Sequence, residues 1–197
     1  LLEESQTVSQ IDFYVFQFAC SRLKEWADQG KQAMPVSVNF SRCSLAQPDF
    51  VQRLDGLCRQ YGVEKKYLEI EITETARESD GVDLKVLIGD LRRAGFIVSI
   101  DDFGTEYANL ALLSSVEFDV LKRDTGMVGD VAHNPRTRAI VESIAEICGK
   151  LGIRMVAEGI ETEEQMAALN ACGVRLAQGF LFGKPVCAGQ FEETYLQ

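Results

Sequence analysis

Short β-rich apolar runs alternate with helical stretches along the whole chain, and nearly every run ends in a side chain that can bind a metal or move a proton. Val36-Ser37-Val38 runs into Asn39, Leu68-Glu69-Ile70 into Glu71, and Ile97-Val98-Ser99-Ile100 into Asp101-Asp102. Val120-Leu121 leads to Lys122, Val156-Ala157 to Glu158, and Val174-Arg175-Leu176-Ala177 to Gln178. Strands are poor in Asp, Asn, Glu and Lys, and a buried carboxylate is costly unless it is paired or bound to a metal. Polar ends on six successive strands predict the rim of one active site.

The alternation predicts a helix over 11–29, where Phe13, Phe16, Ala19, Leu23 and Trp26 fall at helical spacing and Gln29-Gly30 ends the pattern. Strands are predicted over 36–40, 67–73, 97–102, 118–123, 153–158 and 174–180. Helices are predicted over 48–60, 81–94, 107–113, 135–151 and 162–172, with a last one from about 188. Asn134-Pro135 supplies a cap and a first-turn proline. Thr162-Glu163-Glu164-Gln165 has capping-box spacing.

Repeated βα units with no linker or low-complexity run predict one α/β domain over residues 1–197, with a parallel sheet. Polar residues at almost every strand end favour a (β/α)8 TIM-like barrel, whose chemistry sits on that rim. A doubly wound sheet would gather its site at one switch point and a glycine-rich first loop, and no such loop motif occurs. A complete barrel has eight strands and ~250 residues, against six strands and 197 residues here. The first strands are therefore expected to lie before Leu1, and a chain that opens on Leu rather than Met is expected to continue upstream.

The net charge of −10, from 20 Lys and Arg against 30 Asp and Glu, argues against a protein that coats a nucleic acid polymer, which needs clustered cations. A small phosphate-bearing ligand whose charge is met by metal ions remains compatible. The six cysteines are scattered, without metal spacing, and read as reduced, mostly buried thiols. No apolar run approaches the ~20 residues of a membrane span. His133, the single histidine, reads as a surface-loop residue beside Asn134-Pro135.

Six segments occur in order: Ser37-Val38-Asn39-Phe40-Ser41, Glu69-Ile70-Glu71-Ile72-Thr73-Glu74, Asp101-Asp102-Phe103-Gly104-Thr105, Leu121-Lys122-Arg123-Asp124, Val156-Ala157-Glu158-Gly159-Ile160-Glu161 and Gln178-Gly179-Phe180-Leu181-Phe182. Together they resemble the EAL domain, the bacterial phosphodiesterase that hydrolyses cyclic di-GMP to linear pGpG. The resemblance implies a two-metal site for Mg2+ or Mn2+, with Ca2+ inhibitory. Asn39, Glu71 and Asp101 would hold one metal, and Asp101 would bridge to a second near Asp102 and Glu158. Lys122 would assist the attacking water or stabilise the phosphate. Asn39, Asp102 and Gln178 would contact ligand or position water, and Glu74 would brace the loop after Asp101-Asp102. The resemblance further implies a cytoplasmic domain, a homodimer and an upstream cyclase-type or sensor domain.

The residues themselves agree with that chemistry. Hard divalent ions prefer carboxylate and amide oxygens, and two such ions about 3.5–4 Å apart can activate water and neutralise a phosphoryl group. Blander readings compete at single positions: Glu69 reads as structural, and Asp101-Asp102 before Phe-Gly-Thr as a turn. No Ser–His or Cys–His arrangement suggests covalent catalysis. Enolase-type proton abstraction with Mg2+ ranks lower, because no second lysine or histidine base lies on the rim.

The sequence also departs from the family. The Glu-Ala-Leu signature itself, which supplies another metal ligand, is not among these residues. Glu106 stands where the family has a loop glycine, and Ala108-Asn109 replace two serines. Glycine tolerates positive φ that glutamate resists, and a negative side chain would repel a phosphate. Arg123 replaces an aliphatic residue and should point away from Lys122, where a buried Arg needs a partner; Thr125 stands where many members have Arg. These departures motivate an alternative, a catalytically silent EAL domain acting as a cyclic di-GMP receptor or protein-interaction module.

Overall fold

Amphipathic spacing at the start of the chain is realised as a long helix, α1 (Gln6–Asp28). The computed structural model describes residues 6–73, 83–103, 110–123 and 129–196. Phe13, Phe16, Ala19, Cys20, Leu23 and Trp26 form the buried stripe of α1. Gly30 ends the helix at φ +69°, a conformation that side chains with a Cβ resist.

Strand β1 (Val36–Asn39) follows, then α2 (Arg42–Leu45), α3 (Phe50–Tyr61), β2 (Leu68–Thr73), α4 (Leu84–Ala94) and β3 (Ile97–Asp101). The second half runs α5 (Leu110–Ser115), β4 (Val120–Arg123), α6 (Pro135–Leu151), β5 (Arg154–Ala157), α7 (Glu163–Ala171), β6 (Leu176–Ala177) and α8 (Ala188–Tyr195). Strand order follows the sequence, β1 to β6. The pairing is parallel: Asn39 stands opposite Glu71, Lys122 opposite Val156, and Ala157 opposite Ala177. Leu68 to Ile72 of β2 are buried without alternation, as in parallel strands covered on both faces.

Both sequence-predicted caps form. Asn134 Oδ1 accepts from Arg136 and Thr137 N–H at the start of α6. At α7, Thr162 Oγ1 accepts from Gln165 N–H while Gln165 Oε1 accepts from Thr162 N–H, a reciprocal box. Two expectations need revision. Helix α1 starts earlier than its apolar spacing indicates, and β6 keeps two residues of the run expected over 174–180. Past Ala177 the backbone instead turns against Ile160, with Gln178 O accepting from Ile160 N–H at 3.1 Å and Leu181 N–H donating to Ile160 O at 2.9 Å.

The chain divides into two compact units. The first gathers the chain up to Val98 with the stretch from Val186 onward; the second holds Ser99–Pro185. The first unit is built on phenylalanine. Phe40 packs on Phe13, Phe16 and Phe50 at centroid separations of 5.9, 5.8 and 4.9 Å, and such pairs add about 0.5–1.5 kcal/mol each beyond area burial. Helix α8 closes this unit by setting Phe191 on Trp26, and Glu192 3.4 Å from both Arg22 and Lys31. The second unit buries Leu112, Leu121, Val141, Ala157, Ile160 and Leu169. No helix among the described residues is long and apolar enough to cross a membrane.

All six cysteines are free thiols, and Cys20, Cys58, Cys148 and Cys172 are buried. Cys20 and Cys58 hydrogen-bond between α1 and α3, which raises the Cys20 thiol above its ordinary pKa and lowers that of Cys58.

Candidate active site

In the first unit, the last residue of β1 meets the neighbouring strand through its side chain. Asn39 Nδ2 donates to Glu71 Oε2 at 2.6 Å. Parallel register sets this pair, since Asn39 and Glu71 face each other across β1 and β2. Glu71 is buried, while Asn39 is exposed. With its nitrogen committed to Glu71, the Asn39 amide presents Oδ1 as the atom suited to a cation. Glu69 lies on the same strand face, two residues deeper and also buried.

In the second unit, three strand ends converge. Lys122 of β4 is buried, and its Nζ lies 3.4 Å from Glu158 Oε1. Gln178 Nε2 donates to the same Glu158 oxygen at 2.7 Å. Backbone bonds hold the spacing: Glu158 N–H donates to Arg123 O at 2.9 Å, and Gln178 N–H to Ala157 O at 2.8 Å. Gly179 makes the approach feasible. At φ +155° it lies so close to Ile160 that a Cβ would overlap the Ile160 backbone nitrogen and oxygen. A buried ammonium is tolerable only beside a compensating charge, and Glu158 supplies one.

At the end of β3, Asp101 and Asp102 form a tight turn. Asp102 has φ 56° and is the one non-glycine residue with positive φ among the described residues. Aspartate is among the residues that accept this left-handed conformation, and Asp102 N–H donates to Asp101 Oδ1 at 2.9 Å. Phe103, fully buried, anchors the turn through its N–H to Lys122 O at 3.3 Å.

Arg123 points to the opposite side of β4 from Lys122, as the alternation of a strand requires. It is buried, and its positive charge acts on Cys148 of α6. Burial outweighs that charge and pushes the Cys148 thiol up to about 11. His133 is exposed in a turn, with Nε2 3.7 Å from Glu164 Oε2.

The structure thus brings Asn39 to Glu71 in one unit and Lys122, Glu158 and Gln178 together in the other. Glu74, Gly104, Thr105, Glu106, Asp124 and Thr125 lie outside the described residues. Among the described residues no three Asp, Glu, His or Cys side chains gather as one metal cluster; Glu71 has Asn39 beside it, and Glu158 has Gln178. Oxygen donors in such pairs fit Mg2+ or Mn2+, because hard ions of this type take one or two carboxylates and fill the remaining positions with water and phosphate oxygens. Sequence reasoning did not single out Asp12, whose carboxylate grips the segment after Asn39 and whose partners are far apart in the chain.

Parallel βα units carrying acids, amides and a lysine at their C-terminal strand ends define a TIM-barrel-like class of α/β domain. The chain belongs to the EAL domain family, which it matches over residues 1–185. It is 33% identical over 190 residues to the bifunctional diguanylate cyclase/cyclic di-GMP phosphodiesterase MucR of Pseudomonas aeruginosa, covering 96% of this chain and 28% of MucR. The MucR phosphodiesterase in complex with cyclic di-GMP superposes with a TM-score of 0.84 at 34% identity, over 92% of this chain and 74% of that one. BlrP1 of Klebsiella pneumoniae, solved with manganese and cyclic di-GMP, matches with a TM-score of 0.80 at 34% identity, over 90% of this chain and 45% of its own. BlrP1 has also been solved with calcium and cyclic di-GMP. The chain spans less than a third of the length of MucR.

Proposed function

We propose that this domain hydrolyses cyclic di-GMP to linear pGpG with the help of divalent metal ions. The observation that carries the reading is Lys122, a buried cation held 3.4 Å from Glu158. Such a group suits a phosphodiester, whose negative charge would be repelled by carboxylates alone. MucR, a relative that acts on cyclic di-GMP, supports the choice of substrate.

Asn39, Glu71, Asp101, Asp102 and Glu158 are the residues that would hold Mg2+ or Mn2+, and the manganese complex of BlrP1 supports that ion class. When bound, the ions supply an acidified water and charge neutralisation at the phosphoryl oxygens. The protein's own groups do the rest. Lys122 donates a hydrogen bond from its ammonium to a phosphoryl oxygen, spreading the charge that develops as the water's oxygen bonds to phosphorus, the P–O bond to ribose breaks and the water's proton ends on the departing ribose oxygen. Glu158 holds that ammonium in place. Gln178, fixed by its own bond to Glu158, orients the attacking water. Asp102, on a backbone already committed to its turn, faces the same chemistry without further ordering. Glu74 would be the residue that braces the loop after Asp101-Asp102.

The parent protein is read as a cytoplasmic signalling protein with a cyclase-type or sensor domain upstream, working as a homodimer, with Ca2+ as an inhibitor. The test is to incubate the full-length protein with Mg2+ or Mn2+ and cyclic di-GMP and to follow pGpG by chromatography. Product that disappears in Glu71→Ala and Lys122→Ala supports hydrolysis. Tight cyclic di-GMP binding without product replaces the enzyme with a receptor, and neither binding nor product sinks both.

A further inference from the structure

One carboxylate oxygen on α1 collects three hydrogen bonds from the segment that follows Asn39. Asp12 Oδ2 accepts from Ser41 N–H at 2.8 Å, from the Ser41 hydroxyl at 2.6 Å and from the Ser44 hydroxyl at 2.6 Å. Ser41 is the residue before α2, yet its hydroxyl makes no cap to its own helix; it is turned to Asp12 instead. A second clasp lies one step on, where Gln47 Nε2 donates to Ser9 Oγ at 2.6 Å. Ser9 is one turn before Asp12 on α1 and is buried. The stretch from Ser41 to Gln47, which contains α2, is therefore fastened to α1 by polar bonds from two successive turns.

This clamp sits two residues from Asn39. Phe40, between them, is held by apolar contact with Phe13, Phe16 and Phe50 and by its N–H to Glu71 O at 3.3 Å. Ring packing favours burial but is weakly directional, so it resists withdrawal of Phe40 better than rotation of the strand end. Charged hydrogen bonds are short and directional, and those at Ser41 set the rotation of the chain leaving β1. That rotation decides whether the Asn39 amide reaches Glu71 Oε2 at 2.6 Å.

We infer that Asp12 is a positioning residue for the Asn39–Glu71 pair: through Ser41 and Ser44 it holds the Asn39 amide in the orientation from which the pair can take a divalent cation. The inference rests on the metal-dependent reading of that pair. Groups that orient metal ligands from behind typically account for about 10–100-fold in metal affinity.

The test is Mn2+ titration, without nucleotide, of the full-length wild type, Glu71→Ala, Asp12→Ala, Asp12→Asn and the double variant Ser41→Ala/Ser44→Ala, with a melting temperature for each. Expected is at least about tenfold weaker Mn2+ binding in Asp12→Ala, part of it recovered in Asp12→Asn, which retains an acceptor oxygen. The double serine variant should weaken binding in the same direction, and it decides the matter if Asp12→Ala does not fold. A lowered melting temperature with wild-type Mn2+ affinity, in either folded variant, makes Asp12 purely structural and overturns the inference. Loss of Mn2+ in Glu71→Ala but not in the clamp variants removes the inference alone. Equal Mn2+ affinity in wild type and Glu71→Ala removes the metal reading of the pair and the inference with it.

Discussion

Lys122 Nζ lies 3.4 Å from Glu158 Oε1, with the lysine side chain 7% exposed and the glutamate 17%. Removing one member of a buried pair is far costlier than removing a surface one, because the remaining charge keeps its desolvation penalty. Glu158→Ala should therefore destabilise by about 3 kcal/mol, as read from urea midpoints, and should abolish turnover. A loss within the ~0–1 kcal/mol range of an exposed pair would contradict this account.

Two glycines make a matched comparison. Gly179→Ala places a Cβ on the Ile160 backbone at a φ of +155°, so it should cost about 2–3 kcal/mol and displace Gln178. At Gly56, inside α3, an added Cβ would meet nothing within 4 Å. Gly56→Ala should stabilise by about 0.5–1 kcal/mol. Chemical denaturation of the two variants side by side checks both signs.

Asp102 separates conformation from charge. Asparagine tolerates positive φ about as well as aspartate does, so Asp102→Asn should keep the melting temperature close to that of the wild type while losing most of the pGpG-forming activity. A substantial fall in melting temperature would show that the Asp102 charge holds the turn itself.

The junction of α8 with α1 should be acid-sensitive. Glu192 has its carboxyl held below the usual carboxylate range, first by the Trp26 indole N–H, which approaches without making a well-aligned hydrogen bond, and then by Lys31 and Arg22. A depressed native pKa contributes stability above the unfolded value, and that contribution disappears as pH falls through the native value. Melting temperature should therefore drop as pH falls below the ordinary carboxylate value of 4.5, and drop less steeply in Glu192→Gln. Parallel pH profiles for the two proteins would refute the assignment.

Much of the candidate site was readable because polarity at strand ends is anomalous on energetic grounds, and an anomaly of that kind survives in a bare sequence. Asn39 opposite Glu71 and Lys122 beside Glu158 are both consequences of parallel register acting on residues already marked by type. The caps at Asn134 and Thr162 were equally visible, being local. What stayed hidden was tertiary. Helix α2 is four residues long, and the bonds at its start come from Asp12, 29 residues upstream of Ser41. The shortening of β6 has the same origin, since its continuation bonds to Ile160 rather than extending the ladder. Glu74 and Glu106 lie outside the described residues.

Helix α8 belongs to the same compact unit as α1, although the whole second unit is synthesised between them. Order of emergence from the ribosome and order of completion therefore differ. Ser99–Pro185 is a continuous stretch whose internal contacts are all available once Pro185 has emerged. The earlier-made unit must wait with Trp26 uncovered until Phe191 arrives to stack on it. A chain stalled or cleaved after Pro185 would carry every candidate side chain named above and still leave the unit that holds Trp26 unfinished.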